Sequence, residues 1–222
     1  MNGYNRKKLF VKALLEEGVD TVFAYPGGTV TDLFDELYLM GNGKIDLVLP
    51  RHEQALVHEA EGYARETGKT GVCLVTSGPG ATNTVTAIAD AFYDSIPLVV
   101  FTGQVPLNLI GNDAFQEVDI VGMTRGITKY SVTVRDRKDF GKTIKMAFHI
   151  AKTGKPGPVL IDLPKDIQTA TGPSEYPDHV DIRGYKINEG VHLGQLKKSD
   201  KITESGTPPA NPCRRRCQYR RG

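Results

Sequence analysis

No apolar run in the 222 residues approaches the roughly 18 that a membrane span requires, so a spanning helix is not expected. The opening residues, MNGYNRKKLFVKALLEEG, read as an amphipathic helix without the apolar core and small-residue cleavage site of a secretory signal. That favours the cytoplasm. Cysteine is scarce, and three residues make no disulfide framework: Cys73 sits in an apolar, strand-like run and reads as a buried thiol, while Cys213 and Cys217 supply only half a metal site. His52 and His58 stand six apart, the wrong spacing for two ligands on one helical face, so no metal site is expected. Walker loops and the dinucleotide fingerprint are also missing.

The formal charge is only +2, and it is uneven, because Arg214, Arg215, Arg216, Arg220 and Arg221 crowd the last ten residues. Lacking interleaved aromatics or a reading module, this end reads as a solvated tail, and no nucleic-acid partner is expected.

What is present is alternation. Short β-rich runs (TVFAYP, IDLVLP, GVCLVTS, PLVVFTG, SVTVR, PVLIDLP) alternate with helical patterns near residues 31–40, 53–66, 81–93 and 138–152. This predicts an α/β fold, a doubly wound, mostly parallel sheet with helices on both faces. The stretches 98–101 and 159–163 are apolar at consecutive positions, as strands covered on both sides are. Three strand ends carry turn chemistry: YPGG at 25–28, PRHEQ at 50–54 and TSGPGATN at 76–83. Since ligands collect beyond the carboxyl ends of parallel strands, all three should face one rim. Residues 1–170 read as one domain and the polar, turn-rich 171–204 as a linker with a short helix near 191–203. Residues 205–222 read as an aberrant tail without a core.

Glu53, in the first turn of a helix, would gain about 0.3–1 kcal/mol from the macrodipole, so its position alone allows a purely structural role. Each glycine loop alone also reads as a plain strand-to-helix turn. Their combination says more. FAYPGG, the Glu53 turn, TSGPGATN, GQVP with GNDAFQEVD, and GKPGPVLIDLPKDIQ together resemble the pyrimidine-binding domain of thiamine diphosphate enzymes, in the branch of the acetohydroxyacid (acetolactate) synthase catalytic subunits, over roughly residues 5–198.

The resemblance implies a chemistry for the carboxylate. The glutamate matching Glu53 bonds the N1′ nitrogen of the cofactor's aminopyrimidine and favours its imino tautomer, which removes the thiazolium C2 proton. Pyruvate then loses carbon dioxide and joins a second 2-keto acid, pyruvate or 2-ketobutyrate, in branched-chain amino acid biosynthesis. A buried carboxylate suits this task. By the same resemblance Pro26, Gly27 and Gly28 belong to the loop over the aminopyrimidine, with Thr76, Pro79 and Asn83 in the turn beneath it. Gln116 stands near the reacting centre, and Pro106, Ala114, Phe115 and Lys165 line a substrate channel. Lys155 replaces a frequent arginine and is a flavin-contact candidate without the planar fork. Thr29 stands where alanine is common, and His52 could order the site.

Magnesium and FAD are implied for the complete family enzyme, as are a homodimer or homotetramer through this domain and a regulatory small subunit. The sequence contains no Gly-Asp-Gly motif to anchor magnesium and diphosphate, so the chain is read as truncated, with residues 171–204 as linker and start of a truncated middle domain, and inactive alone. One permitted codon choice for residues 210–222, read one nucleotide later, encodes LILAGGGVNIAG, which suggests a frameshifted tail. The alternatives are a non-catalytic fragment pairing with full-length subunits, and another thiamine diphosphate enzyme such as pyruvate oxidase.

Overall fold

The computed structural model describes residues 4–172, 175–187, 190 and 192–204. The expectations for the arginine tail, Cys213, Cys217 and the reading frame lie outside the described residues. The chain divides into two compact units, Met1–Arg183 and Gly184–Gly222. In the second, the helix α9 (Leu193–Glu204) begins beside His192, whose Nδ1 accepts the Gln195 N–H at 3.3 Å.

The first unit is built on a six-stranded sheet in the order β3-β2-β4-β5-β7-β6. Its strands are β2 (Thr21–Ala24), β3 (Asp46–Val48), β4 (Gly71–Val75), β5 (Leu98–Gln104), β6 (Tyr130–Thr133) and β7 (Pro158–Pro164), and every neighbouring pair is parallel. Among the described residues, one antiparallel pairing is separate: β1 (Tyr4–Asn5) lies against β8 (Thr171–Gly172). Every residue of β4, β5 and β7 is buried, which explains their lack of polar alternation. β3 is different. It lies at the sheet edge and is exposed or half-buried throughout.

Both faces are covered. On one, α1 (Arg6–Glu16) buries Leu9, Phe10, Val11, Ala13 and Leu14, and the Phe10 ring meets Phe101 of β5 edge to face at 4.9 Å. Helices α2 (Thr31–Gly41) and α7 (Phe140–Lys152) pack beside α1. On the other face α3 (Glu53–Thr67) and α5 (Val85–Asp94) set Leu56, Val57, Ala60, Ala87, Ile88 and Ala91 against Cys73, Val75, Leu98, Val100 and Leu160. Burial pushes the Cys73 thiol well above its ordinary range, so it is an inert packing group.

The alanines let α3 approach closely, and Gly71 sets how closely: a Cβ there would lie 2.5 Å from the Ala60 carbonyl oxygen and 2.6 Å from Leu98 Cδ2. Neither helix backbone nor core leucine can yield cheaply. Gly71→Ala is expected to cost about 1–3 kcal/mol, lowering Tm by about 3–10 °C in thermal unfolding.

The helical pattern at 81–93 is not one helix. α4 (Pro79–Thr82) stops at Asn83, and α5 restarts from Thr84, whose hydroxyl donates to the Ala81 carbonyl at 2.6 Å while its own carbonyl accepts from Ile88. Asn83 and Thr84 both keep right-handed helical backbone at this junction. Among the described residues, no helix is long and apolar enough to cross a membrane.

Strand order places the crevice. From β2 the chain moves outward to β3, then returns to β4 on the other side of β2, so the connections leaving β2 and β4 diverge. Such a reversal is where an open α/β sheet holds ligands.

Candidate functional site

Glu53 is the first residue of α3, which follows the edge strand β3 after a short connection, residues 49–52. His52 caps this helix: its backbone is extended, and its Nδ1 accepts the Gln54 N–H at 3.1 Å. The cap fixes the direction in which Glu53 leaves the helix. Asn83, between α4 and α5, donates from Nδ2 to Glu53 Oε2 at 2.9 Å. A carboxylate with one oxygen occupied has the other left for a ligand. Oε1 stands 3.6 Å from where a Cβ on Gly80 would be, so the missing side chain leaves that oxygen approachable. Glu53 is half-buried rather than buried.

The two glycine turns are clasped across the crevice. The Thr29 and Thr76 hydroxyls are 2.9 Å apart, the Ser77 N–H donates to Thr29 Oγ1 at 3.1 Å, and the Thr29 N–H reaches Thr76 Oγ1 at 3.4 Å. Gly27 packs on this clasp so closely that any Cβ would overlap Thr76. Gly78 adopts φ 59°, and a Cβ there would lie 2.8 Å from both Cβ and the carbonyl oxygen of Gln116, whose own φ is 57°. A bulkier residue at 78 would therefore displace Gln116. Ser77 is fully buried beneath, and its Oγ has no hydrogen-bond partner among the described residues.

Glu53, Gly27, Thr76, Asn83 and Gln116 thus come together at the crevice between β2 and β4. Gly28 joins them, because Lys165, at the start of α8 (Lys165–Thr169), donates from Nζ to the Gly28 carbonyl at 2.6 Å and lies 3.9 Å from Asp32. Lys165 therefore tethers the glycine turn. Pro26 is exposed beside it and Pro79 opens α4. Pro106 and Ala114 are half-buried in the loop 105–119, where Phe115 is 87% exposed. Lys155 is not brought to the crevice. It lies just before the amino end of β7, donating to the Phe92 carbonyl at 3.4 Å with its ammonium 5.0 Å from the Phe92 ring centre.

Several residues near the site gave no sequence signal. Asp162, within the apolar run of β7, accepts from Thr102 Oγ1 at 2.8 Å, Thr133 Oγ1 at 3.0 Å and Gln104 Nε2 at 3.2 Å. Burial pushes its carboxyl up to about 6, the three donors opposing and nearby Asp119 adding to the rise. His58, Glu61 and Asp90, on α3 and α5, bring one donor atom each to within 4.8 Å of the others; His58 Nδ1 already bonds Glu61 Oε2 at 2.9 Å. The 29-residue gap between Glu61 and Asp90 hides this group from any spacing rule.

Residues 5–123 match the family described as thiamine pyrophosphate enzyme, N-terminal TPP binding domain, and this match covers more than half of the chain. The chain belongs to that family. The acetolactate synthase large subunit of Haemophilus influenzae is 50% identical over 194 residues, 86% of this chain and 34% of the relative. The acetolactate synthase isozyme 3 large subunit of Escherichia coli is 50% identical over 194 residues, covering 86% of this chain and 33% of the relative. The mitochondrial acetolactate synthase catalytic subunit of Saccharomyces cerevisiae is 49% identical over 187 residues, 84% and 27% of the two chains. The chain spans about a third of the length of the bacterial relatives.

Proposed function

We propose that this chain supplies the aminopyrimidine-binding side of an acetolactate synthase active site, with Glu53 as the group that holds and exchanges a proton with the cofactor ring. The carrying observation is the Glu53–Asn83 pair: Asn83 occupies Oε2, and Gly80 leaves Oε1 open beside the clasped turns.

The residues present fit a flat, nitrogen-bearing ring. Gly27 and Gly80 stand where side chains would fill the crevice, and buried Ser77 Oγ is a hydroxyl without a partner among the described residues. Thiamine diphosphate, when bound, supplies the carbanion chemistry by which one 2-keto acid loses carbon dioxide and condenses with another. Glu53 would hold a ring nitrogen at Oε1, Asn83 would keep that oxygen aimed, and Lys165 would keep the Gly27–Gly28 turn in place. Gln116 and Phe115 would face the incoming keto acids, with Pro106 and Ala114 behind them.

Magnesium and FAD are proposed to be held by parts of the complete enzyme outside the matched third. The donors around Glu53 are amide, hydroxyl and backbone groups rather than the oxygen-rich set magnesium prefers. Lys155, engaged on Phe92, would meet a flavin only by leaving that ring. A homodimer or homotetramer would complete the pocket from a second chain, and the name large subunit carried by relatives supports a smaller regulatory partner. A cytoplasmic setting accords with this reading.

A chimera tests it. Exchanging this chain's matched 194-residue stretch into the E. coli isozyme 3 large subunit should yield an enzyme that forms acetolactate from pyruvate only with added thiamine diphosphate. The 222-residue chain alone should form none. A folded, correctly assembled chimera that binds the cofactor but makes no acetolactate would refute the assignment.

A further inference from the structure

In a parallel sheet, residues in register point to the same face. Asp162 is in register with Thr102 of β5 and Thr133 of β6, and Gln104 follows two residues after Thr102 on the same face. The four side chains therefore form one polar group at the carboxyl end of three strands, with Thr102, Gln104 and Asp162 buried and Thr133 half-buried. β5 and β7 are otherwise apolar and fully buried, so the cluster is costly unless each member is satisfied.

Gln104 connects this group to the loop. Its Oε1 accepts the Val105 N–H at 2.9 Å, and its Nε2 donates both to Asp162 Oδ2 and, at 2.9 Å, to the carbonyl of Val118. Val105 opens the loop and Val118 nearly closes it, so the Gln104 side chain holds the start of the loop to a carbonyl 14 residues further along the chain. Beyond this base Glu117 ties the loop to itself by accepting from the Gly111 and Ala114 N–H groups, and the Leu107 N–H ties it to α8 through Asp166 Oδ1 at 3.1 Å. Two non-glycine residues, Asp113 and Gln116, hold positive φ, a conformation that relaxes unless the ends are fixed.

We propose that Asp162, acting through Gln104, is a positioning residue that fixes the base of the loop 105–119 and so places Phe115 and Gln116 over the crevice. The importance of that placement rests on the function proposed above; the placement itself does not.

The test is hydrogen exchange of the full 222-residue chain at pH 7 without cofactor, comparing peptides from 107–117 with peptides from β4. Asp162→Val and Gln104→Leu should each accelerate exchange in the loop about tenfold, the loss of roughly one hydrogen bond, while β4 stays protected. Asp162→Asn should rescue it to within about twofold, because its oxygen can accept from Gln104 and Thr133 while its amide donates to Thr102. Unchanged loop exchange in Gln104→Leu would overturn the proposal even if Asp162→Val failed to fold. So would an asparagine variant whose loop exchanges as fast as that of Gln104→Leu. Since no cofactor is present, failure to bind thiamine diphosphate would count against the proposed function alone.

Discussion

Glu53→Gln in the chimera is expected to lower acetolactate turnover by about 10²–10⁴-fold, the range over which a positioned proton-exchanging group contributes. Glutamine keeps the shape. Its oxygen can turn towards Asn83 and preserve that bond, which leaves its NH₂ group beside Gly80 where Glu53 Oε1 stands. An amide there can donate to a ring nitrogen, but it cannot pass a proton back and forth. The fold and much of the cofactor affinity should survive, with the loss falling on kcat. Deuterium exchange at the thiazolium C2 proton, followed by NMR with the chimera, separates this from a packing defect. It should slow in parallel with turnover, and an unchanged exchange rate would remove Glu53 from the mechanism.

How far the sequence went can be argued from particular residues. The strands β4, β5 and β7 were legible because continuous apolar runs have one economical home, a parallel sheet covered on both faces. The rim was legible because turn residues punctuate strand ends and parallel strands send those ends the same way. Glu53 stood out by its place between a strand and a small-residue helix, though only the family likeness gave it a chemical task. Its partner geometry was hidden: the pattern at 81–93 looks like one helix, whereas Asn83 sits between two helices and bonds Glu53 across 30 residues of chain. Thr29 was visible only as a departure from a common alanine, yet it clasps Thr76 across 47 residues of chain. Asp162 was invisible for the opposite reason, since a single polar residue in an apolar run carries no periodicity. Strand register, which sequence does not display, is what surrounds it with three donors.

That surrounding predicts the second large effect. Asp162 has its carboxyl raised from an ordinary 3.8 to about 6, chiefly by burial, so the folded chain holds a proton there that the unfolded chain has released. Between those values the native state binds more protons, and stability therefore falls as pH rises. The contribution is fully present below pH 4 and gone above about 6, a change of about 3 kcal/mol. Exposed carboxylates such as Asp20, drawn down to about 2 by Lys69 and Tyr63, titrate below this window and act with the opposite sign. Subtraction isolates the buried group: Asp162→Asn imitates the neutral form and lacks the titration. In urea unfolding of the 222-residue chain, its stability relative to the parent should rise by about 3 kcal/mol between pH 4 and pH 7 and then level off. A difference that stays flat across that interval would mean the carboxylate ionises in the folded protein as readily as in the unfolded one. Burial among three donors would then have cost the charge nothing.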